Sequence, residues 1–265
     1  MPSSQFGHGV GNWSVPLDGR PDLRVHWAAG SDEVSMSRVL FVMHGTNRNA
    51  SDYRDAWAPL VEGHDVVVLA PEFSNDAYPG PEEYNLGGMR GGDGDERPRS
   101  QWAFTSIETV FDAWLRETSS TQDVYDMFGH SAGAQFTHRF ALYMTDTRMR
   151  RAAAANAGWY TMPDESVEFP YGLDGGPDVD LKKFLARDLL VLLGGQDVEN
   201  ENLRQDDGAN AQSDTRIERG FSFYNAGRSA ASDAGVSLAW SLDVVPDAGH
   251  DYVAMSRAAA GLLLA

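Results

Sequence analysis

The chain has 265 residues, no cysteine and a formal net charge of −18, with only two lysines, Lys182 and Lys183. Disulfides, a thiol nucleophile and thiolate metal sites are excluded, and the acidic balance disfavours nucleic acid and anionic membranes as partners. No apolar run reaches the length of a membrane span, and the polar, glycine-rich residues 1–20 lack a basic stretch followed by an apolar one. That pattern points to the cytoplasm, or to secretion if a leader was removed.

In chain order, Leu23 to Ala28 alternates apolar and polar residues, as a half-exposed strand does. Val39 to Met43 is a continuous apolar run that suits a strand buried on both faces of a parallel sheet. Ser51 to Val61 follows as a helix with Ser51 as N-cap. Val66 to Ala70 is a second buried strand. Thr105 to Glu117 carries Ile107, Val110, Phe111, Trp114 and Leu115 on one helical stripe. Val124 to Phe128, Arg151 to Ala157, Leu189 to Leu193 and Ala239 to Val245 read as further strands. Ala132 to Met144, Ser222 to Ala234 and Asp251 to Leu264 read as helices. The alternation predicts an α/β protein with a mostly parallel central sheet of about eight strands flanked by helices.

No linker divides the chain, so residues 1–265 are expected to form a single domain. Two glycine- and proline-rich stretches, 73–100 and 158–180, break the alternation. Irregular insertions of this length in a compact domain are usually functional. Both follow strands on their C-terminal side, where an open α/β sheet takes its ligand, so they are candidate cleft walls or lids.

The most informative motif is Gly129-His130-Ser131-Ala132-Gly133, between a strand and a helix. A G-x-S-x-G turn holds its serine at a strained strand-to-helix elbow, and the flanking glycines allow close passage. A serine hydroxyl needs a general base, and the base needs an orienting acid. On this architecture the chain order is Ser, acid, His. Asp197 follows one strand in Gly-Gly-Gln-Asp, and His250 follows the last strand in Asp-Ala-Gly-His. Ser131, Asp197 and His250 are therefore the candidate catalytic residues. Asp206, Asp207 and Asp214 lie further along their loop, and Asp188 precedes its strand at the wrong end. His44 reads as a prop for the neighbouring loop, His130 as the filler of the elbow, and His138 as a packing residue. The expected oxyanion donors are the backbone N–H groups of Ala132 and of Thr46, in the loop after Val39 to Met43. Asn47, Trp159 and Tyr160 are candidate substrate contacts, while Trp102 suits a cleft wall and the core equally. Asp93 to Glu96 and Asp174 to Asp180 are acidic loops without EF-hand spacing, so no metal is expected. The chemistry calls for no cofactor.

These residues resemble the α/β-hydrolase superfamily. The stretch from Phe41 to Asn49 with Tyr53, Arg54 and Trp57, the run from Asn156 to Tyr160, and the run from Phe169 to Gly172 are similar to bacterial esterases of the polyhydroxyalkanoate depolymerase-like group. The resemblance implies the α/β-hydrolase fold, Ser131 as nucleophile, Asp197 as acid and His250 as base. It implies a carboxylic ester hydrolase acting through an acyl-enzyme on an ester, a polyester or an oligoester. A serine amidase or peptidase with the same three residues, and a ligand-binding protein that has lost catalysis, are the alternatives.

Overall fold

The computed structural model describes residues 6–92, 94–199 and 201–265. Its strands are β1 (Gly9–Leu17), β2 (Arg20–Ala29), β3 (Arg38–Met43), β4 (Val66–Pro71), β5 (Tyr125–His130), β6 (Met149–Ala155), β7 (Asp188–Gly194) and β8 (Ser241–Val245). Its helices are α1 (Ala50–Val61), α2 (Gly80–Glu83), α3 (Thr105–Thr118), α4 (Ala132–Tyr143), α5 (Leu181–Leu185), α6 (Asp207–Asn210), α7 (Arg216–Ala234) and α8 (Tyr252–Leu263). The strands form one open sheet in the order β1-β2-β4-β3-β5-β6-β7-β8. The β1–β2 and β2–β4 pairs are antiparallel, and every pair from β4 to β8 is parallel.

Side-chain alternation along the strands builds two cores from continuous apolar runs. Val39, Phe41 and Met43 of β3 face one side, together with Val67 and Leu69 of β4 and Leu189, Val191 and Leu193 of β7. There they meet Ile107, Val110 and Phe111 of α3, Phe136 and Phe140 of α4, and Phe223 of α7. Leu40, Val42, Val66, Val68, Leu190 and Leu192 face the other side, against Tyr53, Trp57 and Val61 of α1 and Met255, Ala259 and Leu263 of α8. The strand β6 ends in four alanines, Ala152 to Ala155, and every residue of α4, which packs beside it, is buried. The C-terminus of α8 is tied to the sheet by cations: Arg151 Nη2 donates to Leu263 O at 2.8 Å and Arg38 Nη2 to Leu264 O at 2.8 Å.

Several boundaries differ from the sequence reading. The strand β1 lies inside the glycine-rich start of the chain and pairs with β2, where Trp13 and Val15 turn inward. The helix α1 begins at Ala50 with Asn49 at its N-cap, and the Asn49 side chain bonds Asp52 rather than the helix backbone. The helix α7 starts at Arg216, six residues before the expected Ser222, because Thr215 and Glu218 form a reciprocal capping box. The segment 73–100 is not wholly irregular; it contains α2 and runs into a 3₁₀ turn, Arg99–Gln101. Trp102 belongs to the core, with its indole N–H donating to Arg97 O at 2.8 Å.

Candidate active site

The strand β5 ends at His130, Ser131 makes the turn, and α4 begins at Ala132. Ser131 has φ 57° and ψ −118°, a conformation that costs a non-glycine residue about 1–3 kcal/mol. The strain is held by packing. A Cβ on Gly129 would lie 2.1 Å from Gly133 O, and one on Gly133 would lie 2.1 Å from Met43 O. Only glycine lets strand, turn and helix pass this closely, and the Ser131 N–H is anchored to Ala155 O of β6 at 3.0 Å.

The loops after β7 and β8 bring the other two residues to the same sheet edge. His250 Nε2 lies 3.0 Å from Ser131 Oγ, and His250 Nδ1 lies 2.7 Å from Asp197 Oδ2. Asp197 is 1 % exposed, whereas the His250 side chain is 32 % exposed and opens to the cleft. The two loops are clamped to each other. Gln196 N–H donates to Ala248 O, and Gly195 N–H to Val245 O, each at 2.8 Å. Asp251 caps α8 by accepting from Val253 N–H at 2.8 Å, which fixes the chain immediately after His250.

Three positioning side chains escaped the sequence reading. Asn156, at the end of β6 with φ 52°, accepts from Gly194 N–H at 2.7 Å and donates to Gly249 O at 3.0 Å. It joins the loop of Asp197 to the loop of His250, and asparagine tolerates the left-handed backbone better than most residues. Arg216 donates to Asp197 Oδ1 at 3.3 Å. Gln135, one turn beyond Ser131, accepts at Oε1 from Asn85 at 2.9 Å and from Arg139 at 3.3 Å, so its NH₂ is the end left for the cleft. A polar residue directly after a run of alanines was the available signal for Asn156; nothing local in the chain marks Arg216 or Gln135.

His44 does prop the neighbouring loop. Its Nε2 accepts from Phe73 N–H at 3.1 Å, so Nδ1 carries the proton and donates to Gly45 O at 2.9 Å. Burial holds this imidazole neutral, with its pKa pulled down to about 3. Tyr84 Oη donates to His44 O at 2.7 Å, and Arg48 donates to Phe73 O at 2.7 Å, which ties the loop to the 73–100 segment. A Cβ on Gly45 would lie 3.7 Å from Ser131 Cβ, so this loop passes directly over the elbow. Thr46 is exposed at its crest, and its N–H has no partner among the described residues. Ala132, as the first residue of α4, has no intrahelical acceptor for its N–H. His130 is buried and kept neutral, and its Nδ1 pairs with Tyr53 Oη at 3.1 Å. His138 is likewise a buried, neutral packing residue whose Nε2 accepts from Thr161 N–H at 3.1 Å.

A cleft of about 680 Å³ opens over Ser131 and His250. Asn75, Gly80, Pro81 and Asn85 line it from the first irregular segment, and Gly158 and Trp159 from the second. Thr46 and Asn47 line it as well. A third wall, Glu201, Asn202, Arg204 and Arg216, comes from the loop that follows Asp197 and from the first residue of α7. Tyr160 is a correction: it is fully buried, stacks on Phe223 at 4.4 Å and does not line the cleft, because successive residues leaving β6 turn to opposite sides. Trp159 has guanidiniums over its ring, Arg139 at 4.0 Å and Arg204 at 4.9 Å. Asp206 lies outside the Ser131 constellation and pairs with Arg204 and Tyr171. Among the described residues, no cluster of His, Asp or Glu side chains is arranged to hold a metal ion, and Asp93 of the acidic loop lies outside them. No helix of the described residues is long and apolar enough to cross a membrane.

Comparison with known proteins fits this architecture. No protein-family model matches the chain, and neither does any curated protein. Among solved structures, the chain is similar to poly(aspartic acid) hydrolase-1 from Sphingomonas sp. KT-1. The two share 40 % identity over 97 % of this chain and 99 % of that one, with a TM-score of 0.93. It is also similar to LpqC, a poly(3-hydroxybutyrate) depolymerase from Bordetella parapertussis, at 33 % identity over 96 % and 90 % of the two chains and a TM-score of 0.89. An S-formylglutathione hydrolase from Agrobacterium tumefaciens, at 15 % identity over 100 % and 99 % and a TM-score of 0.59, shares the fold. The chain belongs to the α/β-hydrolase superfamily, in the group of bacterial esterase- and depolymerase-like serine hydrolases.

Proposed function

We propose that this enzyme cleaves carboxylic esters through Ser131, His250 and Asp197 by way of an acyl-enzyme. The observation that carries the reading is the continuous hydrogen-bonded path from Ser131 Oγ through the imidazole to Asp197, at 3.0 Å and 2.7 Å. Ser131 Oγ attacks the substrate carbonyl while His250 Nε2 takes the hydroxyl proton, and Asp197 stabilises the imidazolium through Nδ1. The oxyanion rests on the N–H groups of Ala132 and Thr46, each such donor being worth about 3 kcal/mol in the transition state. His250 then protonates the leaving group, and a water deprotonated by the same nitrogen releases the acyl group. In this reading residues 1–265 work as one domain, with 73–100 and 158–180 as cleft walls beside Asn47 and Trp159. The chemistry draws on no cofactor.

A second reading, cleavage of an amide in a carboxylate-bearing chain, is favoured by the charge of the cleft. Arg48, Arg204 and Arg216 line it with Glu201 as the carboxylate of the lining, in a chain of net charge −18; Arg204 is paired with Asp206 and Arg216 with Asp197. Arg48 donates to the carbonyls of Phe73 and Gly80 and forms no ion pair among the described residues. Such a lining suits an anionic oligomer better than a neutral polyester, and the relative at 40 % identity carries the name of a poly(aspartic acid) hydrolase. Parallel assays separate the readings: p-nitrophenyl esters against matched anilides, and poly(3-hydroxybutyrate) against poly(aspartic acid). Release from esters and polyester alone supports the first; release from anilides and poly(aspartic acid) supports the second. Failure of a fluorophosphonate to label Ser131 would sink both.

A further inference from the structure

The geometry points to Arg216 as a positioning residue that shares the Asp197 carboxylate with His250 and so sets the pH at which Ser131 becomes reactive. This inference rests on the proposed Ser131–His250–Asp197 relay. The two carboxylate oxygens are divided: Oδ2 faces His250 Nδ1 at 2.7 Å, and Oδ1 faces Arg216 Nη1 at 3.3 Å. Neither partner of the ion pair is screened, since the Arg216 side chain is 4 % exposed and that of Asp197 is 1 %. The same guanidinium also donates to Glu199 O at 2.9 Å and to Glu201 O at 2.6 Å, so one side chain holds the acid and the backbone that follows it. Its own origin is fixed, because Arg216 is the first residue of α7 inside the Thr215–Glu218 capping box. Arg216 Nε is buried without a partner, and Asp197 is the carboxylate with which this guanidinium forms an ion pair among the described residues.

Electrostatics give the arrangement a direction. A carboxylate alone behind an imidazole favours the imidazolium; a cation on the far oxygen offsets that charge and favours the neutral base. The other groups around His250 do not supply this cation. His130, whose ring centroid is 4.6 Å away, is kept neutral by burial, and Tyr53 behind it is a phenol pushed upward by burial. Asp251 and Tyr252 follow it at the start of α8, and of the groups on the cleft walls Arg204 is paired with Asp206, Arg48 donates to Phe73 O and Gly80 O, and Glu201 is an anion.

The test measures the rate of fluorophosphonate labelling of Ser131, and of kcat/KM on a p-nitrophenyl ester, from pH 4.5 to 9 in wild type, Arg216→Gln and Arg216→Lys. Removing the charge in Arg216→Gln is expected to move the acid limb of both profiles upward by about half a unit or more. Arg216→Lys keeps a charge but not the three-pronged reach, so its acid limb stays within about 0.2 units of wild type while its rate falls at all pH values. A purely structural role predicts a lowered rate in both variants with an unmoved acid limb, and that result overturns the inference. If Arg216→Gln does not fold, Arg216→Met takes its place, keeping side-chain length without the charge: an acid limb raised by about half a unit or more supports the inference, and an unmoved limb overturns it. Absence of label in the wild type overturns the relay itself, a different failure.

Discussion

Replacing His44 with glutamine should remove part of the enzyme's sensitivity to acid. The imidazole is wholly enclosed, donates from Nδ1 to Gly45 O, accepts at Nε2 from Phe73 N–H, and has its pKa drawn down from 6.5 to about 3 by burial. The folded state therefore prefers the neutral ring, while the unfolded chain takes up a proton as pH falls below 6.5. Stability is full above that value and is lost progressively down to about 3, where the folded ring also titrates. At pH 5 the lag amounts to about 1.5 pH units of proton binding, or about 2 kcal/mol, a factor of roughly 30 in the folding equilibrium. Glutamine can present an acceptor near the Nε2 position but does not titrate. Its absolute stability at neutral pH is expected to be lower, so the informative quantity is the change between two pH values. Urea unfolding of wild type and His44→Gln at pH 7.5 and pH 5 measures it directly. Wild type should lose about 2 kcal/mol more than the variant over that interval. His130 and His138 are depressed in the same direction but are present in both proteins and cancel. Equal losses in the two proteins, within about 0.5 kcal/mol, would refute the claim that burial keeps this ring uncharged.

Glycines at the elbow and on the surface should respond with opposite signs. Gly133→Ala drives a Cβ to 2.1 Å from Met43 O and is expected to cost several kcal/mol or prevent folding, whereas Gly261→Ala fills open space in the exposed part of α8 and should stabilise by about 0.5–1 kcal/mol, both read by thermal or urea unfolding. Asn156→Ala loses both bonds that join the acid and base loops, so kcat should fall about tenfold or more with a smaller change in KM, while circular dichroism reports a retained fold. Arg204→Ala removes a cation from the cleft wall and should raise KM for an anionic oligomer more than for a neutral ester, with the difference shrinking at high salt; parallel Michaelis curves at two ionic strengths check it.

The residues of the Ser131 constellation were legible because each is announced locally. Ser131 lies in a glycine-bounded elbow, Asp197 follows the buried strand β7 and His250 follows the half-exposed last strand β8, so strand order alone carries them to one edge. Continuous apolar runs such as Val39 to Met43 and Val66 to Ala70 mark strands covered on both faces whatever their neighbours are. The strand β1 carries a weaker signal, since Gly9, Gly11 and Pro16 dilute its alternation and its stability comes from pairing with β2 and packing of Trp13 beside Trp114.

What the sequence by itself determined is therefore the alternation of strands and helices and the three residues that stand at strand ends, because both are encoded in short-range patterns. Only the tertiary structure decided that Tyr160 turns into the core while Trp159 faces the cleft, that Asn156 bridges two loops, and that Arg48, Arg204 and Arg216 gather above Ser131 in so acidic a chain. Those are matters of side-chain direction and of charges brought together from distant segments, and spacing along the chain does not encode them.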